Sequence, residues 1–154
     1  MDIRSGSGWP SSALSNFAPH PFLFDGVSCM SMEGFLQSLK FNKPHIQKHI
    51  CTLVGRMAKQ RGRGRNWKRQ QLLWWNGTSY DRHGPEYLDL LARAFTALCD
   101  QSNSFRKALL ATGSATLTHS IGSTNPRETI LTAHEFCSIL HALRADLRRH
   151  TKVG

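Results

Sequence analysis

The sequence predicts a mainly α domain with a small β element, and three patterns predict it. Apolar residues recur at helical spacing through the second half of the chain, clearest in Phe136, Ile139, Leu140, Leu143 and Leu147. Helix-opening residues head such runs: Ser31 as an N-cap, and Pro44 and Pro85 as first-turn prolines. The hairpin signal is Asp25-Gly26, a two-residue turn between Phe22 and Phe24 on one side and Val27 and Cys29 on the other.

Taken in order, residues 1–15 form an ordered lead-in and the hairpin follows. Ser31 opens a helix that places Glu33 in its first turn, where the helix dipole favours an acid, and that runs to Asn42. Pro44 opens a second helix with Ile46, Ile50, Leu53 and Val54 as its apolar stripe and Gly55 as its end. Gly62 and Gly64 then break a basic stretch into a loop. Asn66 caps a short helix from Trp67 to Trp75, which Asn76-Gly77 stops. Pro85 opens a fourth helix, with Leu88, Leu91, Ala92, Phe95 and Leu98 inward. Ser102 or Ser104 opens a fifth, closed by Gly113. Ala115 to His119 suits a short strand, and Gly122 to Arg127 an irregular polar loop. Thr132-Ala133-His134-Glu135 is a capping box for the last helix, expected to fray after Leu147. There are no internal repeats, and residues 1–154 are expected to form one domain.

Composition narrows the function. No stretch approaches the roughly 18 consecutive apolar residues of a membrane span. Residues 1–9 lack the apolar core of a signal peptide, so no membrane is expected and the cytoplasm is the default location. The four cysteines are widely spaced, without a CxxC pair, which argues against a disulfide framework or a zinc knuckle; Cys51, Cys99 and Cys137 read as small buried hydrophobes. The net charge is +10, and one segment carries all of it: Gly34 to Tyr80 holds ten Lys or Arg and no Asp or Glu. Its densest part comprises Arg56, Lys59, Arg61, Arg63, Arg65, Lys68 and Arg69. Such a stretch suits nucleic acid or nucleotide phosphates, or is a solvated face that aids solubility.

The first long helix carries the most chemistry. Glu33, Gln37 and Lys40 recur at i, i+4 and i+7 and so fall within an arc of about 60°. A carboxylate on that stripe can move protons, and an amine of lowered pKa can attack an electrophilic carbon. The basic segment could lower that pKa by like-charge repulsion. The bland alternative is an exposed face with a loose ion pair. Trp67 lies nearest the basic stretch and could stack a base. His119, beside the polar loop, is a lesser candidate. His45 and His49 at i, i+4 lack a third ligand, so no metal is expected, and no cofactor either. GxGxxG, GxxxxGK[ST] and GxSxG are all missing, which leaves dinucleotide-fold, P-loop and serine-hydrolase readings without their main support.

Several strings together resemble one family. Leu14-Ser15-Asn16-Phe17, Pro21, Asp25-Gly26 and the run Ser31-Met32-Glu33-Gly34-Phe35-Leu36-Gln37-Ser38-Leu39-Lys40-Phe41 are similar to the core pattern of the NADAR family, named for association with NAD and ADP-ribose. Gly55, Trp67, Leu109-Leu110-Ala111-Thr112-Gly113 and the closing helix through Leu143-Arg144 also look similar, so the resemblance spans roughly Arg4 to Arg144. It implies a compact orthogonal helical domain of the NADAR type, mainly α with a small β element. It implies N-glycosidase chemistry on ribose-linked bases: release of ADP-ribose from guanine in nucleic acid or nucleotides, or cleavage of early riboflavin-pathway intermediates. The family's catalytic carboxylate and lysine map onto Glu33 and Lys40. Asn16 and Gln37 would then orient ribose hydroxyls or the base, Arg61 and neighbouring cations would hold phosphate, and Trp67 would stack. Phe17, Gly113 and His119 complete the candidate ligand set with Asn125.

Many family members carry an Asp and then a Trp-Gly pair after the Thr-Gly turn. This chain has Gly122-Ser123-Thr124-Asn125-Pro126-Arg127-Glu128 instead. Asn125 standing in the acid's place cannot act as a general base, so Glu33 works alone, Glu128 substitutes, or the activity is altered. The alternative of a different class is a non-catalytic module that binds ADP-ribose or nucleic acid.

Overall fold

The computed structural model describes residues 1–153, with side chains through His150. About half of these residues are helical, and two two-stranded antiparallel sheets complete the regular structure. A short helix α1 (Ser11–Leu14) precedes the expected hairpin, in which β1 (Phe22–Phe24) pairs with β2 (Val27–Cys29) across the Asp25-Gly26 turn. Asp25 and Gly26 both have positive φ, which is what a tight two-residue turn demands.

Helix α2 (Met32–Ser38) starts where the sequence expects and stops four residues sooner than Asn42. Ser31 Oγ accepts from the Gly34 amide at 3.1 Å and donates to the Leu53 carbonyl at 3.0 Å, so the cap also ties α2 to the segment that follows the next helix. A Cβ at Gly34 would lie 2.7 Å from that Leu53 oxygen, so glycine is what permits this close packing. Helix α3 (Pro44–Ile50) is shorter than its predicted stripe; Gln47 and Ile50 face inward, while Leu53 and Val54 lie beyond it.

Two expectations fail in the next stretch. The basic segment is not a loop up to Gly64: Gly55 begins helix α4 (Gly55–Gly62), whose buried side is Gly55, Ala58 and Gly62. Helix α5 ends after one turn (Trp67–Gln70), and Leu72 to Trp75 form strand β3, paired with β4 (Thr78–Asp81). Asn76-Gly77 is therefore a hairpin turn and not a helix stop. The strand wins because Trp75 buries its ring against Phe24 and Phe35 and donates Nε1–H to Asp25.

Helix α6 (Pro85–Gln101) turns Tyr87, Leu90, Leu91, Ala94, Phe95 and Leu98 inward. Leu88 and Ala92, expected inside, are exposed, since the helix is rotated to bury Tyr87, whose hydroxyl donates to the Ile130 carbonyl at 2.5 Å. Helix α7 (Asn103–Ala111) is capped by Ser102, not Ser104. Residues 115–119 make a single parallel bridge, Asp2 to Thr118, instead of a strand. Helix α8 (Ala133–Val153) opens on the expected capping box, Glu135 N–H to Thr132 Oγ1 at 3.0 Å and Thr132 N–H to Glu135 Oε1 at 2.8 Å. It continues past Leu147 where fraying was expected. All four cysteines are buried and free. No described helix is long and apolar enough to cross a membrane.

One buried ion pair was not anticipated. Arg82, 1% exposed, makes a two-pronged pair with Glu135 at 2.7 and 3.1 Å and donates Nε–H to the Thr129 carbonyl at 2.9 Å. It fastens the end of β4 to the start of α8 and to the segment that precedes it.

Candidate active site

Four elements are drawn together by backbone bonds before any site chemistry enters. The Glu33 amide donates to the Asn16 carbonyl at 3.0 Å, which sets Asn16 and Phe17 beside the first turn of α2. Lys40 lies just past the helix, in a turn pinned when the Trp74 amide of β3 donates to the Leu39 carbonyl at 2.9 Å. Buried Gln47 fixes the same turn: its amide reaches the carbonyls of Ser38, Phe41 and Trp74, and its oxygen accepts from the Asn76 amide at 3.0 Å. At the far side, the first residues run beside residues 116–118, and His119 Nδ1 meets the Ile3 carbonyl at 2.8 Å.

The result is a cleft of about 430 Å³, within the usual size range for small-molecule sites. Glu33, Gln37 and Lys40 share it with Asn16, Phe17, Trp67 and His119. Glu33 is only 8% exposed, and every residue from Ser31 to Leu39 is buried. The stripe is therefore not a solvated face with a loose ion pair. Gln37 Nε2 donates to Glu33 Oε1 at 2.8 Å. Among the described residues the Gln37 oxygen meets no hydrogen-bond donor; it lies 1.8 Å from where a Cβ on Gly62 would stand. Only glycine at 62 lets this amide lie beside the carboxyl.

Burial pushes the Glu33 carboxyl above the ordinary glutamate range, against the Gln37 hydrogen bond and the positive charges of Lys59, Lys40 and His119. Burial likewise pulls the Lys40 ammonium below the ordinary lysine value; Glu33 opposes this, and Lys68 and Lys59 add to it. The repulsion expected from the basic segment is present, but loss of solvent is the larger cause. The two groups are moved toward each other, which makes a state with a neutral acid and a neutral amine accessible.

His119 packs edge-on to Phe136, with ring centroids 5.2 Å apart. Its Nδ1, 2.8 Å from the Ile3 carbonyl, sets the orientation of the ring at the edge of the cleft. Trp67 is 4% exposed, so it walls the cleft and has little free face for stacking. Half-buried Phe17, with Lys59 5.9 Å from its ring centre, offers the better surface.

Three predicted ligand residues are not among the lining residues. Arg61 instead packs its guanidinium on Phe41, 4.7 Å from the ring centre. Gly113 ends α7 with a positive φ and gives its carbonyl to Arg148. Asn125 is exposed and uses Oδ1 to accept from the Arg127 amide at 3.0 Å. Of the alternatives for a second acid, Glu128 does line the cleft, bound to Lys68 at 3.0 Å. The sequence places Lys59 and Lys68 among the cations expected to hold phosphate without singling them out as lining residues, and gives no sign of Gln47 as a support. Lys59 had a signal: in a helix from Gly55 it neighbours the small residues Gly55, Ala58 and Gly62, which must face inward.

The chain matches the family described as bacteriophage protein GP30.3 over residues 8–145 and belongs to that family. It is 40% identical over 151 residues to an uncharacterized 17.1 kDa protein from the Gp30–rIII intergenic region of Enterobacteria phage T4, covering 96% of this chain and 98% of that protein. Among solved structures, the NMR structure of the E. coli protein YbiA superposes with a TM-score of 0.66 at 22% identity, covering 98% of this chain and 86% of YbiA. The likeness to YbiA is one of fold.

Proposed function

We propose that this GP30.3-family protein is an N-glycosidase that cleaves the ribose–base bond and removes ADP-ribose from guanine in nucleic acid or nucleotides. The observation that carries the reading is the pairing in one cleft of a buried carboxyl, Glu33, with a half-buried amine, Lys40, their acidities shifted toward each other. The resemblance to the NADAR family supports it, because the family's catalytic carboxylate and lysine correspond to these two residues.

The chemistry follows from the pair. Cleavage passes through an oxocarbenium-like state at the anomeric carbon. The neutral Lys40 amine forms a bond to that carbon as the carbon–nitrogen bond to the base breaks. The bonding pair leaves on the base, which takes a proton from the neutral Glu33 carboxyl. The ring oxygen then departs as a hydroxyl, taking one of the two protons on the bound nitrogen and leaving a protonated imine on Lys40. Glu33, now ionised, takes a proton from the water that adds to the imine, and the amine departs as ADP-ribose closes. One water is consumed, and base and sugar separate. Asn16 orients the ribose, Phe17 offers a face to a ring, and Lys59 and Lys68 hold phosphate.

Product analysis tests this. The protein is incubated with guanine-linked ADP-ribose on DNA and, separately, with early riboflavin-pathway intermediates, beside the Lys40→Ala variant. Released ADP-ribose that is lost in the variant is the expected result. Release from the riboflavin intermediates alone would replace the substrate, and release from neither would replace the enzyme with a binding module.

A further inference from the structure

Arg56, Lys59, Arg61, Arg63, Arg65, Lys68 and Arg69 are all exposed on α4, α5 and the turn between them. Among the described residues only Lys68 in this group has a carboxylate partner. Arg61 and Arg65 place their guanidinium carbons 4.7 and 4.5 Å from the centre of one ring, that of buried Phe41. A face that serves only solubility spreads like charges apart; here two cations are gathered on one ring without an anion, which favours occupation by one. The patch adjoins the cleft, because Lys59 and Lys68 belong to both. Arg56 precedes Lys59 by one helical turn and so shares its side of α4.

We propose that this α4–α5 face binds a single strand of nucleic acid through its phosphates and leads it into the cleft. In its link to catalysis the proposal rests on the glycosidase reading above; it specifies that the substrate is a polymer. A single strand is implied because Glu33 lies buried in the cleft, out of reach of a base that stays stacked in a duplex. Contacts to phosphate carry no sequence preference, so any strand suffices.

The test uses an unmodified single-stranded DNA 20-mer in a salt titration followed by fluorescence anisotropy. The wild type is expected to bind at about 50 mM salt with a log–log slope of about −3, the release of some four phosphate counterions at roughly 0.7 each. The combined Arg63→Gln, Arg65→Gln and Arg69→Gln variant should lose at least about tenfold in affinity and about 2 in slope, whereas the matching triple lysine variant keeps both. Turnover of guanine-linked ADP-ribose should fall at least about tenfold on the 20-mer and stay within twofold on a mononucleotide. An unchanged slope, absence of wild-type binding, equal loss on both substrates, or faster turnover of duplex than of single strand would each overturn the proposal. Wild-type protein that binds DNA with the expected slope yet releases nothing would sink the glycosidase reading and leave the surface standing.

Discussion

Gln37 donates its amide to Glu33 Oε1 at 2.8 Å from one helical turn away, and this bond opposes the burial that raises the carboxyl above the ordinary glutamate range. The site works, on the account above, when Glu33 and Lys40 hold one proton between them. Activity is then lost at low pH, where both are protonated, and at high pH, where neither is. Because the carboxyl is raised and the amine lowered, both limbs of the profile should lie inside the ordinary glutamate and lysine values. Gln37→Leu removes the bond that favours the ionised carboxyl, so the acidic limb of kcat/KM against pH should move upward. An unmoved limb would reduce Gln37 to packing.

Gly62→Ala should act on the same bond from the other side. The new methyl would stand 1.8 Å from the Gln37 oxygen, so the amide must swing away from Glu33. A stability loss of about 1–3 kcal/mol is expected in urea unfolding, together with the same upward movement of the acidic limb. Adding Gly62→Ala to Gln37→Ala should then cost much less than adding it to the wild type. Additive losses would separate the two residues.

Much of this was legible from local pattern. Ser31, the Asp25-Gly26 turn, the Thr132–Glu135 box and the Glu33–Gln37–Lys40 stripe are short-range signals, and the structure contains each. What was not legible depends on distant partners. Leu72 to Trp75 is a short apolar run that suits helix or strand equally; contacts with Leu39, Phe24 and Phe35 decide it. Gly62 looks like a loop glycine until Gln37, 25 positions earlier, is seen to occupy its missing side chain. Arg61 stands out only by the charge of its segment, and Gly113 and Asn125 only by the strings around them; neither signal says which side of an element faces the cleft.

Arg82 shows the same dependence and gives a stability prediction. Arg82→Met leaves Glu135 half-buried without its cation, an expected cost of about 3 kcal/mol. Burial alone would raise the Glu135 carboxyl, but Arg82 and the Thr132 hydrogen bonds together hold it below the ordinary value of 4.5. A depressed folded value means that this stabilisation is present above 4.5 and fades as pH falls through the folded value. Unfolding midpoints measured from pH 7 downward should therefore converge for wild type and Arg82→Met in acid. Parallel curves would remove Glu135 from the acid response.

Trapping shows directly whether Lys40 attacks the anomeric carbon. Wild-type protein turning over guanine-linked ADP-ribose on a DNA strand is treated with cyanoborohydride, and intact mass and peptide mapping locate any adduct. A reduced ADP-ribose adduct on Lys40 is expected, absent from Lys40→Ala, with unmodified guanine left in the strand. Turnover that proceeds with no adduct, or that persists in Lys40→Ala, would contradict attack by Lys40.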